Sequence, residues 1–180
     1  YRVCVANAKG YGIMVNVIGL GYIGLPTALA LAANGVEVVG TDINKTKVEQ
    51  LRSGTVTFSE KGLVDLFERA QFCGIRFENR YVVADYYIVS VPTPVDTITY
   101  KVNAEYVISA VKQILEVCQQ GAVLIIESTI QPGTIEKQIR PIIKAAGKKI
   151  GHDVYLAHAP ERIIPGNMIY ELQHNSRTIG

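Results

Sequence analysis

Three glycines at G-x-G-x-x-G spacing, Gly19, Gly21 and Gly24, stand between the apolar run Val15-Asn16-Val17-Ile18 and an alanine-rich stretch beginning at Leu25-Pro26. Such a sequence reads as a strand, a tight turn and a helix. Each glycine has its own reason to be there: Gly19 permits the sharp turn, Gly21 lets backbone approach a pyrophosphate closely, and Gly24 lets the helix pack on the strand. The N-terminus of that helix then offers unpaired N–H groups and a positive dipole end to phosphates. The motif alone is weak, but its context is strong. Glu37 to Thr41 reads as a second strand that delivers Asp42, 18 residues beyond Gly24 and close to where a ribose-binding carboxylate is expected. A carboxylate there accepts hydrogen bonds from the ribose hydroxyls and repels a 2′-phosphate, which favours NAD over NADP. The plainer role for Asp42 is a helix-capping acid.

The rest of the chain repeats the alternation. The first strand is expected over Met14–Ile18, a helix over Ile23–Ala33 stopped by Asn34-Gly35, and a helix begins at Asn44. Glu60 to Phe72 reads as an amphipathic helix and Ile75 to Phe77 as a short strand. Tyr86 to Val91 is a continuous apolar strand of the kind buried in a parallel sheet, ended by Pro92-Thr93-Pro94. Val95 to Val102 has neither period and reads as a loop, after which Asn103 caps a helix through Val117. Ala122 to Glu127 is a further strand, Gly133 to Ala146 a helix, and Asp153 to Ala157 a strand followed by Pro160-Glu161-Arg162. Alternation of this kind predicts an α/β fold, a doubly wound parallel sheet with helices on both faces. Its consequence is geometric: the glycine turn, Asp42, Thr93, Thr129 and Glu161 all fall just past carboxyl ends of predicted strands, the edge where open α/β sheets bind ligands.

Composition excludes several other classes. The 18 basic residues are scattered and the net charge is only +2, so no footprint for nucleic acid is present. No apolar run approaches the ~20 residues of a membrane span, and no secretory signal with a cleavage site is recognisable, so no membrane partner and a cytoplasmic location are expected. Cys4, Cys73 and Cys118 form no C-x-x-C pair, which argues against a zinc site or a disulfide framework. Residues 1–13 fit nothing downstream and are expected to be an N-terminal extension or an appended segment, leaving 14–180 as the nucleotide-binding domain.

Four motifs together resemble a known family. Val17-Ile18-Gly19-Leu20-Gly21-Tyr22-Ile23-Gly24-Leu25-Pro26, Val91-Pro92-Thr93-Pro94, Glu127-Ser128-Thr129 and Ala159-Pro160-Glu161-Arg162-Ile163-Ile164-Pro165-Gly166 occur in the order of the nucleotide-sugar 6-dehydrogenases. In the last motif, Arg162 and Pro165 stand where the glucose-type branch usually has phenylalanine and a second glutamate. The chain is therefore more similar to the UDP-N-acetyl-mannosamine or UDP-N-acetyl-glucosamine branch, which makes uronic acids for surface polysaccharides. The resemblance implies a Rossmann-like NAD-binding domain of an oxidoreductase that turns the sugar's C6 alcohol into a carboxylate by two hydride transfers, through a cysteine thioester. It implies that Gly19, Gly21, Tyr22, Ile23 and Gly24 form the pyrophosphate turn, that Asp42 and Lys47 lie at the adenosine ribose, and that Thr93 and Thr129 face the cofactor near the nicotinamide. Thr129 would also position the reacting oxygen or a water, Glu161 would handle protons at thioester hydrolysis, and Arg162 with Ile163 would touch the UDP-sugar. It further implies a homodimer for the full-length protein.

Each residue has a blander role beside this one. Thr93 and Thr129 could cap helices, Glu161 could be a surface acid, and Arg162 a solvated side chain or an ion-pair partner. A departure also stands out: the family's nucleophile sits in a G-G-H-C-type segment, and none of Cys4, Cys73 or Cys118 does. The expectation is a fragment of a longer enzyme that binds NAD but does not turn over UDP-sugars alone. Two other functions fit part of the pattern. The cofactor domain of a β-hydroxyacid dehydrogenase shares the glycine turn but lacks the Ala-Pro-Glu-Arg motif, and a non-catalytic NAD-sensing module leaves Thr129 and Glu161 without a role.

Overall fold

The computed structural model describes residues 12–164 and 166–180. Residues 1–11 of the expected extension, with Cys4, and Pro165 of the last motif lie outside the described residues.

The strands are β1 (Met14–Ile18), β2 (Glu37–Thr41), β3 (Arg76–Glu78), β4 (Tyr86–Val89), β5 (Ala122–Ile126) and β6 (Val154–His158). They form a single parallel sheet in the order β3-β2-β1-β4-β5-β6. Between them lie α1 (Gly24–Ala33), α2 (Lys45–Arg52), α3 (Leu63–Phe72), α4 (Glu105–Val117) and α5 (Arg140–Ala145), and α6 (Met168–His174) follows β6. This is the doubly wound arrangement expected from the alternation.

Alternating side chains serve the two faces. Val15 and Val17 of β1 pack with Leu25, Ala28 and Leu29 of α1 and with Leu63, Leu66 and Phe67 of α3. Ile18, with Tyr87 and Val89 of β4, packs instead with Val107, Val111 and Ile114 of α4 and with Ile143 of α5. The strand order reverses between β1 and β4, so the chain leaves these neighbours in opposite directions and opens a crevice at their carboxyl ends.

Three boundaries differ from the sequence expectation by two residues or more, each for a local reason. The helix expected from Glu60 begins at Leu63, because Gly62 takes a left-handed φ of 80° and Glu60 is engaged elsewhere. The helix expected from Gly133 opens as a π-helical turn, Ile135–Ile139, before α5. Pro141 has no N–H for the preceding turn, which favours the wider winding there. Strand β4 stops at Val89 rather than Val91, three residues before Pro92, which cannot donate to a ladder.

Asn16 is a polar residue in the middle of β1 and is fully buried. Its Nδ2 donates to the Val39 carbonyl and to Thr41 Oγ1, both at 2.8 Å. It thereby ties β1 to the end of β2, one residue ahead of Asp42.

Candidate functional site

The glycine turn is built by close approach on two sides and openness on the third. Gly19 has φ +90°, its N–H donates to the Thr41 carbonyl at 2.8 Å, and a Cβ there would stand 2.5 Å from the Ser90 carbonyl oxygen. A Cβ on Gly24 would stand 1.9 Å from the Gly19 carbonyl oxygen. Gly21 is the opposite case: a Cβ there would meet nothing within 4 Å, and its φ is not left-handed. Packing and backbone conformation explain Gly19 and Gly24. Neither explains Gly21, whose Cβ would stand in open space.

Two clefts meet at that residue. One, of about 330 Å³, is lined by Gly19, Gly21, Asp42, Lys47, Tyr81 and Tyr106 among others. The other, of about 240 Å³, is lined by Gly21, Tyr22, Ile23, Ser90, Thr93, Glu127, Ser128, Thr129 and Glu161, with Val91 and Pro92 shared between the two. The N-terminus of α1 enters this crevice with no acid in its first turn and, among the described residues, no side-chain cap, which leaves its N–H groups available to an anion.

Asp42 is nearly buried, at 7% exposure, and works hard as an acceptor. Its Oδ2 accepts from the Leu20 N–H at 2.9 Å and from Lys47 Nζ at 2.8 Å, and its Oδ1 accepts from the Asn44 N–H at 2.9 Å. The carboxylate is thus fixed to the glycine turn and to the start of α2 together, where it lines the first cleft. Burial first, and then the Asp42 charge, push the Tyr81 phenol in the same cleft up to about 12, so it stays protonated well above neutral pH.

At the other cleft the Tyr22 hydroxyl donates to Glu60, and the Tyr22 ring lies 4.9 Å from that of Phe58. Glu60 also accepts from the backbone N–H groups of Gly166 at 3.1 Å and Met168 at 3.3 Å. One carboxylate therefore holds the segment after Glu161 onto the glycine turn. The hydrogen bond from Tyr22 is the largest of the effects that hold Glu60 below its ordinary 4.5, and the same bond is the main reason the Tyr22 phenol is raised. A lowered carboxyl contributes stability above its ordinary pKa and loses it as pH falls through the folded value. The Gly166 and Met168 amide resonances are accordingly expected to titrate together with one midpoint below 4.5, and to stop titrating in Glu60→Gln.

Most of the residues singled out in the sequence come together here. Gly19, Gly21, Asp42 and Lys47 line the first cleft, and Gly21, Tyr22, Ile23, Thr93, Thr129 and Glu161 line the second, with Gly24 packed beneath the turn. Arg162 and Ile163 line neither: Arg162 is exposed and donates from Nη2 to the Ser176 carbonyl at 3.2 Å. Sequence reasoning missed Ser90, Glu127 and Arg177. The Ser90 hydroxyl donates to Glu127, whose carboxylate also takes Arg177 Nη1 at 2.6 Å, while Arg177 Nη2 pairs with Glu161. An acid at the end of an otherwise apolar run, Ala122 to Ile126, was the available signal for Glu127.

A doubly wound sheet whose switch point carries a glycine turn, an uncapped helix and a fixed carboxylate defines a dinucleotide-binding domain. The chain belongs to the UDP-glucose/GDP-mannose dehydrogenase family, as its NAD-binding domain, the model of which matches residues 13–180. It is 44% identical over 167 residues to a UDP-N-acetyl-D-mannosamine dehydrogenase of Methanococcus aeolicus, an alignment covering 91% of this chain and 37% of that protein. It is similar to the solved UDP-N-acetyl-mannosamine dehydrogenase Cap5O of Staphylococcus aureus, with a TM-score of 0.89 and 38% identity over 93% of this chain and 41% of the other. The chain thus spans well under half the length of these relatives. A 3-hydroxyisobutyrate dehydrogenase of Mycobacterium tuberculosis, at 20% identity and a TM-score of 0.53, shares the fold alone.

Proposed function

We propose that this chain holds NAD⁺ across the two clefts and serves as the cofactor domain of a UDP-sugar 6-dehydrogenase, with UDP-N-acetyl-D-mannosamine as the substrate. The observation that carries the cofactor assignment is the open space at Gly21 between two tightly packed glycines. A Cβ would fill the place where a diphosphate must come against backbone, so the residues fit the group. Asp42 and Lys47 would take the adenosine ribose, the turn and the α1 N-terminus the diphosphate, and Thr93 and Thr129 the nicotinamide end. When bound, NAD⁺ supplies a hydride acceptor, and two such transfers carry an alcohol to the level of a carboxylate. Glu161 would accept the proton released at the reacting centre, and Thr129 would orient the oxygen or water beside it.

The thiol of the family's covalent step is proposed to lie elsewhere in a longer protein. Cys73 and Cys118 line neither cleft, and burial pushes the Cys118 thiol up, away from the thiolate that catalysis needs. A homodimer and a cytoplasmic location are proposed on the family resemblance; among the described residues no helix is long and apolar enough to cross a membrane.

The test separates binding from turnover. The 180-residue chain is expected to bind NAD⁺ and to give no steady NADH with UDP-N-acetyl-D-mannosamine. In the full-length protein, Glu161→Gln is expected to lower kcat by roughly 100-fold or more with little change in NAD⁺ affinity, the scale of a lost general base. Steady NADH from the chain alone, or an unchanged kcat in Glu161→Gln, would contradict these assignments.

A further inference from the structure

Three neighbouring strands deliver polar side chains to the second cleft. Ser90 follows β4, Glu127 follows β5 and Glu161 follows β6. Both carboxylates are nearly buried, their side chains 1% and 6% exposed, and both line the same cleft. Two buried like charges at one site need a shared counter-charge.

That charge comes from a distant part of the chain. Arg177 lies beyond α6 and does not itself line the cleft. Its Nη1 donates to Glu127 Oε1 at 2.6 Å and its Nη2 pairs with Glu161 Oε2. A planar guanidinium can address two carboxylates in fixed directions at once, which a lysine ammonium cannot do with the same geometry. Each carboxylate has a second partner: Glu127 Oε2 accepts from the Ser90 hydroxyl, and Glu161 Oε1 accepts from the Arg162 N–H at 2.7 Å. The segment that carries Arg177 is itself pinned on both sides. The Ser176 carbonyl accepts from Arg162 Nη2 at 3.2 Å, and Gly180 and His158 exchange backbone hydrogen bonds of 2.7 and 3.0 Å.

We propose that Arg177 is a positioning residue for the dehydrogenase reaction: it sets the place and orientation of the Glu161 carboxylate, with Glu127 and Ser90 as the fixed anchor of the fork. The proposal rests on the assignment of Glu161 to proton handling. It predicts a defect in kcat rather than in cofactor binding, because Arg177 touches neither cleft while the carboxylate it holds lines one of them.

The experiment compares Glu161→Gln, Arg177→Ala and Arg177→Lys in the full-length protein, with NADH formation from UDP-N-acetyl-D-mannosamine as the readout. Arg177→Ala is expected to lose about 100-fold in kcat, the scale of a reacting group misplaced by an ångström, with KM for NAD⁺ within about threefold of wild type. Millimolar guanidinium chloride is expected to restore part of that loss, and Arg177→Lys to fall between Arg177→Ala and wild type. Should Arg177→Ala fail to fold, Arg177→Lys decides: reduced kcat at unchanged KM and melting temperature supports the clamp, and full kcat overturns it. If Glu161→Gln is slow while both Arg177 variants turn over normally, the clamp falls and the Glu161 assignment survives. If Glu161→Gln turns over normally, that assignment falls and takes the clamp with it. A loss in Arg177→Ala that guanidinium does not relieve, with KM for NAD⁺ raised in parallel, marks a general structural defect and overturns the proposal.

Discussion

Gly21→Val is expected to leave the fold intact and to abolish cofactor binding, whereas Gly24→Ala, a smaller change three residues away, is expected to damage the fold. At Gly21 an added Cβ meets no atom within 4 Å and φ is not left-handed, so the melting temperature should move by no more than roughly 2 °C. The same side chain occupies the junction of the two clefts. NAD⁺ affinity should fall by at least about 100-fold, or ~2.7 kcal/mol. At Gly24 the added carbon would lie 1.9 Å from the Gly19 carbonyl oxygen, a backbone atom of a turn that is itself wedged against Ser90. Backbone must move to admit it. A loss of at least about 3 kcal/mol is expected, which lowers the melting temperature by roughly 6–12 °C in a domain of this size. Thermal melts and calorimetric titration of the two variants, side by side, separate a glycine kept for a ligand from one kept for packing.

Asp42→Asn carries the second large effect. The carboxylate accepts from three N–H donors, those of Leu20, Asn44 and Lys47, spread over both oxygens. Whichever way an amide is turned, its NH₂ faces a donor. Turned with its NH₂ in the place of Oδ1 the amide faces one donor, the Asn44 N–H, and the other way two. A donor left without an acceptor costs about 1–3 kcal/mol, so a loss of at least that size is expected. That corresponds to a melting temperature lower by roughly 2–12 °C. The ribose acceptor is lost in the same substitution, so NAD⁺ affinity should fall as well. Preference over NADP⁺ should narrow, since the charge that repels a 2′-phosphate is gone. Retained stability together with retained preference would show that Asp42 is neither the structural acceptor nor the ribose carboxylate.

Why some of this is written in the sequence and some is not follows from the range of the interactions. Strands β1 and β2 begin and end at the residues expected, Met14–Ile18 and Glu37–Thr41, because local apolar runs bounded by glycine turns specify them. The rim follows from the same local order: once strands alternate with helices in a parallel sheet, everything just past a strand shares one edge. Asp42 and Thr129 needed no more than that. Glu60 and Arg177 were not legible, because their partners are far away along the chain. Glu60 meets Gly166 and Met168 across more than a hundred residues, and Arg177 meets Glu127 across 50. Glu60 looks like the first turn of an amphipathic helix, and Arg177 like a solvated cation. Only the tertiary fold turns one into a tether and the other into a fork. Asn16 reads as one polar residue in an apolar run for the same reason, since the Val39 carbonyl it holds is 23 residues on.

The central claim, that turns from separate strands jointly cradle one dinucleotide, is tested most directly by following backbone amide resonances of the 180-residue chain during an NAD⁺ titration. A cofactor spanning both clefts should shift Leu20, Asp42 and Lys47 on one side and Thr93, Thr129 and Glu161 on the other, all with a single Kd, with Gly21 between them moving most. Shifts confined to one cleft, two groups of residues with different Kd values, or saturation without movement of Gly21 would contradict it.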